Sequence, residues 1–133
     1  MAIADAAGFP IAVHVGSASP HEVKLVEATI DSGFTEYAPN RLIGDKAYDS
    51  DGIDQKLAEE RGIELISPHR QGRKKPSTQD GRKLRRYCRG WKVERLFAWM
   101  YNFRRLVVRY EYHVENFLAL VQLGFSIILL RLF

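Results

Sequence analysis

An α/β fold is the class this sequence predicts, and three observations predict it. Through the first 66 residues, short apolar runs alternate with segments of helical period, each bounded by caps or turn residues. The last third has a helical pattern throughout, with a long apolar stretch at its end. The 133 residues are 46% hydrophobic and include two Trp, seven Phe and six Tyr, which supplies a core and excludes a wholly disordered tail.

Met1 to Val15 reads as a β-hairpin. Ile3-Ala-Asp5 runs into the turn-forming Ala7-Gly8-Phe9-Pro10, and Ile11-Ala-Val13-His-Val15 then alternates as a strand does. Ser19 suits an N-cap, Pro20 the first helical position, and Glu22 completes a capping box. That helix is expected to pass through Val23, Val26 and Ile30 and stop at Gly33. Arg41-Leu-Ile-Gly44-Asp45 is a short apolar strand ending on a carboxylate. A second helix follows from Ser50 or Asp51 to Arg61, with Ile53 and Leu57 inward and Gly62 as its stop. Ile63-Glu-Leu-Ile66 is the next strand, closed by Ser67-Pro68, and the βαβ spacing predicts parallel pairing of these two strands.

His69 to Gln79 is basic and punctuated by Pro and Gly, the pattern of an exposed loop. Asp80 to Asn102 is helical and rich in Arg and aromatics; Phe97 is expected in the core, with Trp91 and Trp99 open between core and base stacking. The last helix is expected from Tyr112 to Leu132, with Val114, Phe117 and Leu120 (or Val121) inward. Its apolar run, Phe117 to Leu130, carries Gln122, Gly124 and Ser126 and is shorter than the ~20 residues a bilayer span needs, so a core helix is expected and no membrane partner.

Charge is distributed unevenly. Residues 1–66 carry five Lys/Arg against twelve Asp/Glu, a net of −7, whereas residues 67–133 carry fifteen against four, a net of +11. A basic half of this kind suits a polyanion, and nucleic acid is the leading partner. The single cysteine, Cys88, excludes an internal disulfide, and the four His have no metal-ligand spacing. No basic n-region or apolar h-region marks a secretory signal. On local pattern alone Asp45 is a turn or cap carboxylate, Glu94 an ordinary helical glutamate, and Asp49, Asp51 and Asp54 first-turn helix carboxylates favoured by the dipole, with a metal role for Asp49 a minor alternative.

At Gly44-Asp45-Lys46-Ala47-Tyr48-Asp49-Ser50, and again from Arg85 through Tyr87, Gly90 and Glu94 to Phe97, the chain resembles bacterial insertion-sequence transposases of the DDE, RNase H-like type. The likeness is to the C-terminal part of the catalytic domain and extends over essentially the whole chain, including Asn102-Phe103-Arg104-Arg105-Leu106. It implies an RNase H-like mixed sheet with flanking helices, lacking its first strand. Residues 1–68 would form the hairpin and βαβ part, 69–79 a basic loop, and 80–133 an Arg-rich helix and the apolar C-terminal helix.

The resemblance also implies a function: DNA transposition by cleavage and strand transfer of phosphodiesters, with Mg²⁺ (or Mn²⁺) held by three carboxylates. The second falls on Asp45 and the third on Glu94. The first lies on a strand preceding the hairpin, and Asp5 does not match it, so the isolated chain is expected to be inactive. In the signature around the glutamate, Tyr87 and Glu94 match, while the Arg position is Gly90 and the Lys position is Tyr101. Gly90 removes a guanidinium and weakens a helix by ~1 kcal/mol relative to Ala.

DNA, both transposon ends and target, is the implied partner, contacted by Arg70, Arg73, Lys74, Lys75, Arg82, Lys83, Arg85, Arg86, Tyr87, Arg89, Arg95, Arg104 and Arg105. A second copy or an upstream transposase fragment is a further implied partner, and a cytoplasmic, nucleoid-associated location follows. Two other readings stand beside this one: a catalytically inactive remnant that binds DNA without sequence preference or pairs with a full-length transposase, and an RNase H-like nuclease.

Overall fold

A computed structural model of the chain describes residues 1–17, 19–78 and 81–131, with all side chains among them except that of Arg89. The expected positions of Gln79, Asp80 and Leu132 lie outside the described residues. The chain divides into two compact units, one made of residues 1–34 and 92–133 and the other of residues 35–91.

In the first unit, β1 (Ala2–Ala4) and β2 (Pro10–Val13) form the expected hairpin, pairing Ala2 with Val13 and Ile3 with Ala12 before a bulge sets Ala4 opposite Pro10. Asp5 shapes the turn: its Oδ1 accepts the Ala7 N–H at 2.8 Å and the Phe9 N–H at 2.9 Å. Gly8 takes φ +94°, where a side chain would be strained. The next helix starts later than its box predicts. Ser19 is engaged with Ser17, and a 3₁₀ turn over Glu22–Leu25 is capped by His21 before α1 (Val26–Asp31) begins. The fold closes with α4 (Trp91–Met100), α5 (Arg104–Val107) and α6 (Val114–Leu130).

Two turns of α6 place Val121, Phe125 and Ile128 on one stripe, where they meet Val13 and Leu96 to form the core of this unit. Trp99, Met100, Phe103 and Leu106 pack around it, and the Phe34 ring meets Phe125 edge-on at 6.3 Å between centroids. Trp99 is thus at the core's edge, whereas Phe97, expected inside, is 37% exposed. Leu96 fills the inward position on α4, and the next residue is turned about 100° away by the helical period. A Cβ at Gly124 would stand 2.9 Å from Leu106 Cδ1, so glycine there allows α5 its close approach to α6. Among the described residues no helix is long and apolar enough to cross a membrane.

In the second unit, β3 (Arg41–Ile43) and β4 (Glu64–Ile66) pair in parallel, as the βαβ spacing predicts, with Arg41 opposite Glu64 and Ile43 opposite Ile66. Their crossover is α2 (Asp51–Arg61), which buries Ile53 and Leu57 and ends at Gly62 in the left-handed region at φ +64°. The α/β class therefore holds. The expected mixed sheet is not one sheet, since the described strands pair two and two, antiparallel in the first unit and parallel in the second.

The helix expected over 80–102 is divided into α3 (Gly81–Leu84), a 3₁₀ turn at Arg85–Arg89, and α4. Gly90 stands at the junction, and its N–H donates to Tyr87 O at 2.9 Å, three residues back rather than four. Tyr87 and Glu94 therefore do not lie on one uninterrupted α-helical stripe. Glycine's low helical propensity at that joint is the physical reason.

Candidate active site and nucleic-acid interface

The strand pair of the second unit carries its ladder one residue beyond β3, because Gly44 N–H donates to Ile66 O at 3.0 Å. Asp45 is the next residue. It stands at the carboxyl end of a parallel pair, the end where ligand sites of open α/β sheets form. Its carboxylate caps the 3₁₀ turn Lys46–Tyr48, accepting the Ala47 N–H on Oδ1 at 2.7 Å, and the residue is exposed. The cap reading and the ligand reading of Asp45 are compatible, since the cap engages one oxygen of two. Gly44 is required beside it: a Cβ there would lie 2.8 Å from the Tyr48 ring, which folds back over the strand end.

The basic segment after β4 is an exposed loop, as expected, and it is tied to the rest of its unit by polar contacts. Asp49 gathers three donors: Arg70 N–H on Oδ2 at 2.8 Å, His69 Nδ1 on Oδ1 at 2.8 Å, and Arg73 Nη1 on Oδ1 at 2.8 Å. Arg73 reaches on to Asp51 Oδ1 at 2.5 Å, and Lys75 meets the other Asp51 oxygen at 3.0 Å. The Arg70 guanidinium donates to Lys46 O at 3.0 Å and Ala47 O at 2.7 Å. Burial opposes the charge on Asp49, but the Arg70 N–H, His69 and Arg73 outweigh it and hold the carboxyl below its usual range. Arg73 and Lys75 hold Asp51 low as well. Asp54 differs: desolvation, with Asp51 and Asp49 adding like charge, pushes its carboxyl up to about 6.

This network separates the basic residues expected at phosphate into two groups. Arg70 and Arg73 are turned onto the chain's own carbonyls and carboxylates, Lys75 pairs with Asp51, and Lys83 pairs with Glu64, which also meets Arg41 at 2.9 Å. In the first unit Arg95 donates to Ala7 O at 2.7 Å and stacks over Trp99, and Lys92 donates to Ala6 O, so both staple the hairpin turn. Lys74, Arg85, Arg86, Arg104 and Arg105 are exposed, Arg105 approaching Glu111 at 3.8 Å, Arg82 is exposed with an interaction of its own, and Tyr87 is 37% exposed. The Arg89 side chain lies outside the described residues.

Glu94 sits in the first turn of α4, exposed, in the first unit. Tyr101, at the Lys position of the signature, is 66% exposed. Asp45 and Glu94 offer the hard oxygen donors that magnesium takes, and magnesium is commonly held by one or two carboxylates with waters and substrate phosphates completing the shell. Among the described residues, no group of three or more His, Cys, Asp or Glu side chains is placed to hold a metal ion. Asp49, with three donors on its carboxylate, is committed to the fold instead. The Asp49–His69–Arg73 cluster is the feature the sequence reading missed, and its only sequence signal is opposite charge on segments 20 to 24 residues apart.

Comparison with known proteins agrees with the motifs. A putative transposase for insertion sequence element IS402 from Burkholderia cepacia is 31% identical over 134 residues, an alignment spanning 95% of this chain and 59% of that protein. The chain thus spans about three-fifths of that relative's length. No solved structure matches the chain significantly. The family model described as the transposase DDE domain matches residues 1–130, and the chain belongs to that family.

Proposed function

We propose that the chain serves DNA transposition as the part of a DDE transposase that carries Asp45 and Glu94, cutting and joining DNA phosphodiesters with magnesium or manganese. The observation that supports this most directly is Asp45: an exposed carboxylate at the carboxyl end of a parallel strand pair, set by its own turn with one oxygen engaged. When bound, the ions would activate the attacking oxygen and stabilise the leaving one, and Asp45 and Glu94 would each serve as a metal ligand. Lys74, Arg82, Arg85, Arg86, Arg104 and Arg105 contact phosphates of transposon ends and target, and Tyr87 offers a ring beside them. A second copy or an upstream transposase fragment is the protein partner.

A second reading, an inactive chain that binds DNA or a full-length transposase, draws on Gly90 and Tyr101, which put no cation at two signature positions. Retention of labelled DNA in magnesium and in EDTA separates the two. Tighter retention with magnesium, abolished by Asp45→Asn and by Glu94→Gln, supports the metal reading, and joined product in the same reactions extends it to catalysis. Retention indifferent to magnesium and to both substitutions refutes it in favour of the second reading.

A further inference from the structure

The turn that carries Asp45 is gripped at both ends by one residue of the following loop. Arg70 N–H donates to Asp49 Oδ2 at 2.8 Å, just past the turn, while the Arg70 guanidinium donates through Nε to Lys46 O at 3.0 Å and through Nη2 to Ala47 O at 2.7 Å. Ala47 is the residue whose N–H holds Asp45 Oδ1 at 2.7 Å. Its N–H and its carbonyl are therefore both fixed, one by the candidate ligand and the other by Arg70. Asp49 in turn takes bonds from His69 and Arg73, with its side chain only 4% exposed, so the anchor of the grip is itself held by the fold.

An exposed aspartate on a short turn ordinarily samples several rotamers, and ordering it is a cost that ligand binding must meet. A ligand carboxylate held by a supporting shell meets less of that cost at the moment of binding.

We propose that Arg70 is a positioning residue for Asp45: acting through the Lys46–Tyr48 turn, it presets the carboxylate for the divalent ion, and the loop from His69 to Lys75 is a strap across that turn. This rests on the metal role given to Asp45 above. Arg70 and Arg73 then belong to the support of the site.

The test uses the whole 133-residue chain and two readouts, amide exchange by NMR and line broadening by Mn²⁺. In Arg70→Ala, the Ala47 N–H should exchange about tenfold faster, with the Leu65 and Leu96 amides unchanged as a check on the fold. The Mn²⁺ concentration that broadens the Ala47 and Tyr48 signals should rise by about 10-fold, the lower end of what losing a ligand's supporting partner does to metal affinity. Arg70→Lys keeps the charge but loses the two-carbonyl fork, so it should lie between wild type and Arg70→Ala, and it decides the question on the same readouts if Arg70→Ala does not fold. Ala47 exchange at the wild-type rate in a folded Arg70 variant overturns the proposal. If Asp45→Asn leaves the Mn²⁺ broadening intact, the metal reading of Asp45 fails, while the exchange result still decides whether Arg70 sets its turn.

Discussion

Asp54 offers the sharpest stability test, because its environment works against its charge. The residue lies in the first turn of α2, half-buried, with Oδ1 out of solvent and no hydrogen-bond partner among the described residues. Burial, then Asp51 and Asp49, raise its carboxyl from an ordinary 3.8 to about 6. For an acid the sign is definite: a folded-state value above the unfolded one means the folded state binds the proton more tightly. Protonated Asp54 is tolerated at pH 4, and stability falls as pH rises from about 4 through about 6. The full gap corresponds to roughly 3 kcal/mol, but the group is half-exposed, and solvent screening reduces this to on the order of 1 kcal/mol. Asp49 and Asp51, both held low, add slope of the opposite sign near pH 4, where their unfolded carboxyls still bind protons, but they are common to wild type and Asp54→Asn and cancel in the difference between the two. Asp54→Asn should therefore gain on wild type as pH rises, from little difference at pH 4 to about 1 kcal/mol greater stability at pH 7, read from urea unfolding at each pH. A difference between the two proteins that stays constant from pH 4 to pH 7 would refute the reasoning.

The core of the first unit gives a larger effect: Leu96 is fully buried among Val13, Val121 and Phe125, so Leu96→Ala should cost about 2–5 kcal/mol in the same unfolding assay, with little change at Phe97→Ala beside it. DNA affinity should fall with salt, and replacing the exposed Lys74, Arg85 and Arg86 together with Gln should flatten the log–log slope by up to about 3 units. Arg73→Gln should leave that slope unchanged while lowering the urea midpoint, because its guanidinium serves Asp49 and Asp51; a slope that responds to Arg73 as it does to Lys74 would mean that these ion pairs open on DNA.

What the sequence determined by itself is what local chemistry determines. The parallel strand pair follows from two apolar runs separated by a capped helix with a glycine stop, and Asp45 at the strand end follows from the order of residues alone. The hairpin follows from its Gly-Pro turn, and the C-terminal helix from apolar residues at helical spacing, although its start moved from Tyr112 to Val114. The family resemblance was legible because its two motifs, Gly44 to Ser50 and Arg85 to Phe97, are each short and contiguous, and the family match agrees with the resemblance.

Tertiary structure alone decided which charges are paired within the chain. Residues 67–133 show fifteen Lys and Arg, and nothing local distinguishes Lys74 from Arg73, its neighbour. The difference is that Arg73 meets Asp49 and Asp51, 24 and 22 positions earlier, in a bond pattern that exists only once α2 and the loop after β4 are folded together. The same holds for Lys83 with Glu64 and for Arg95 with the hairpin turn. Phe97 and Leu96 are adjacent and equally apolar, and the side that faces inward is fixed by what α4 packs against. Periodicity and capping act within a few residues, whereas ion pairing and burial are settled by groups that the chain brings together across tens of residues.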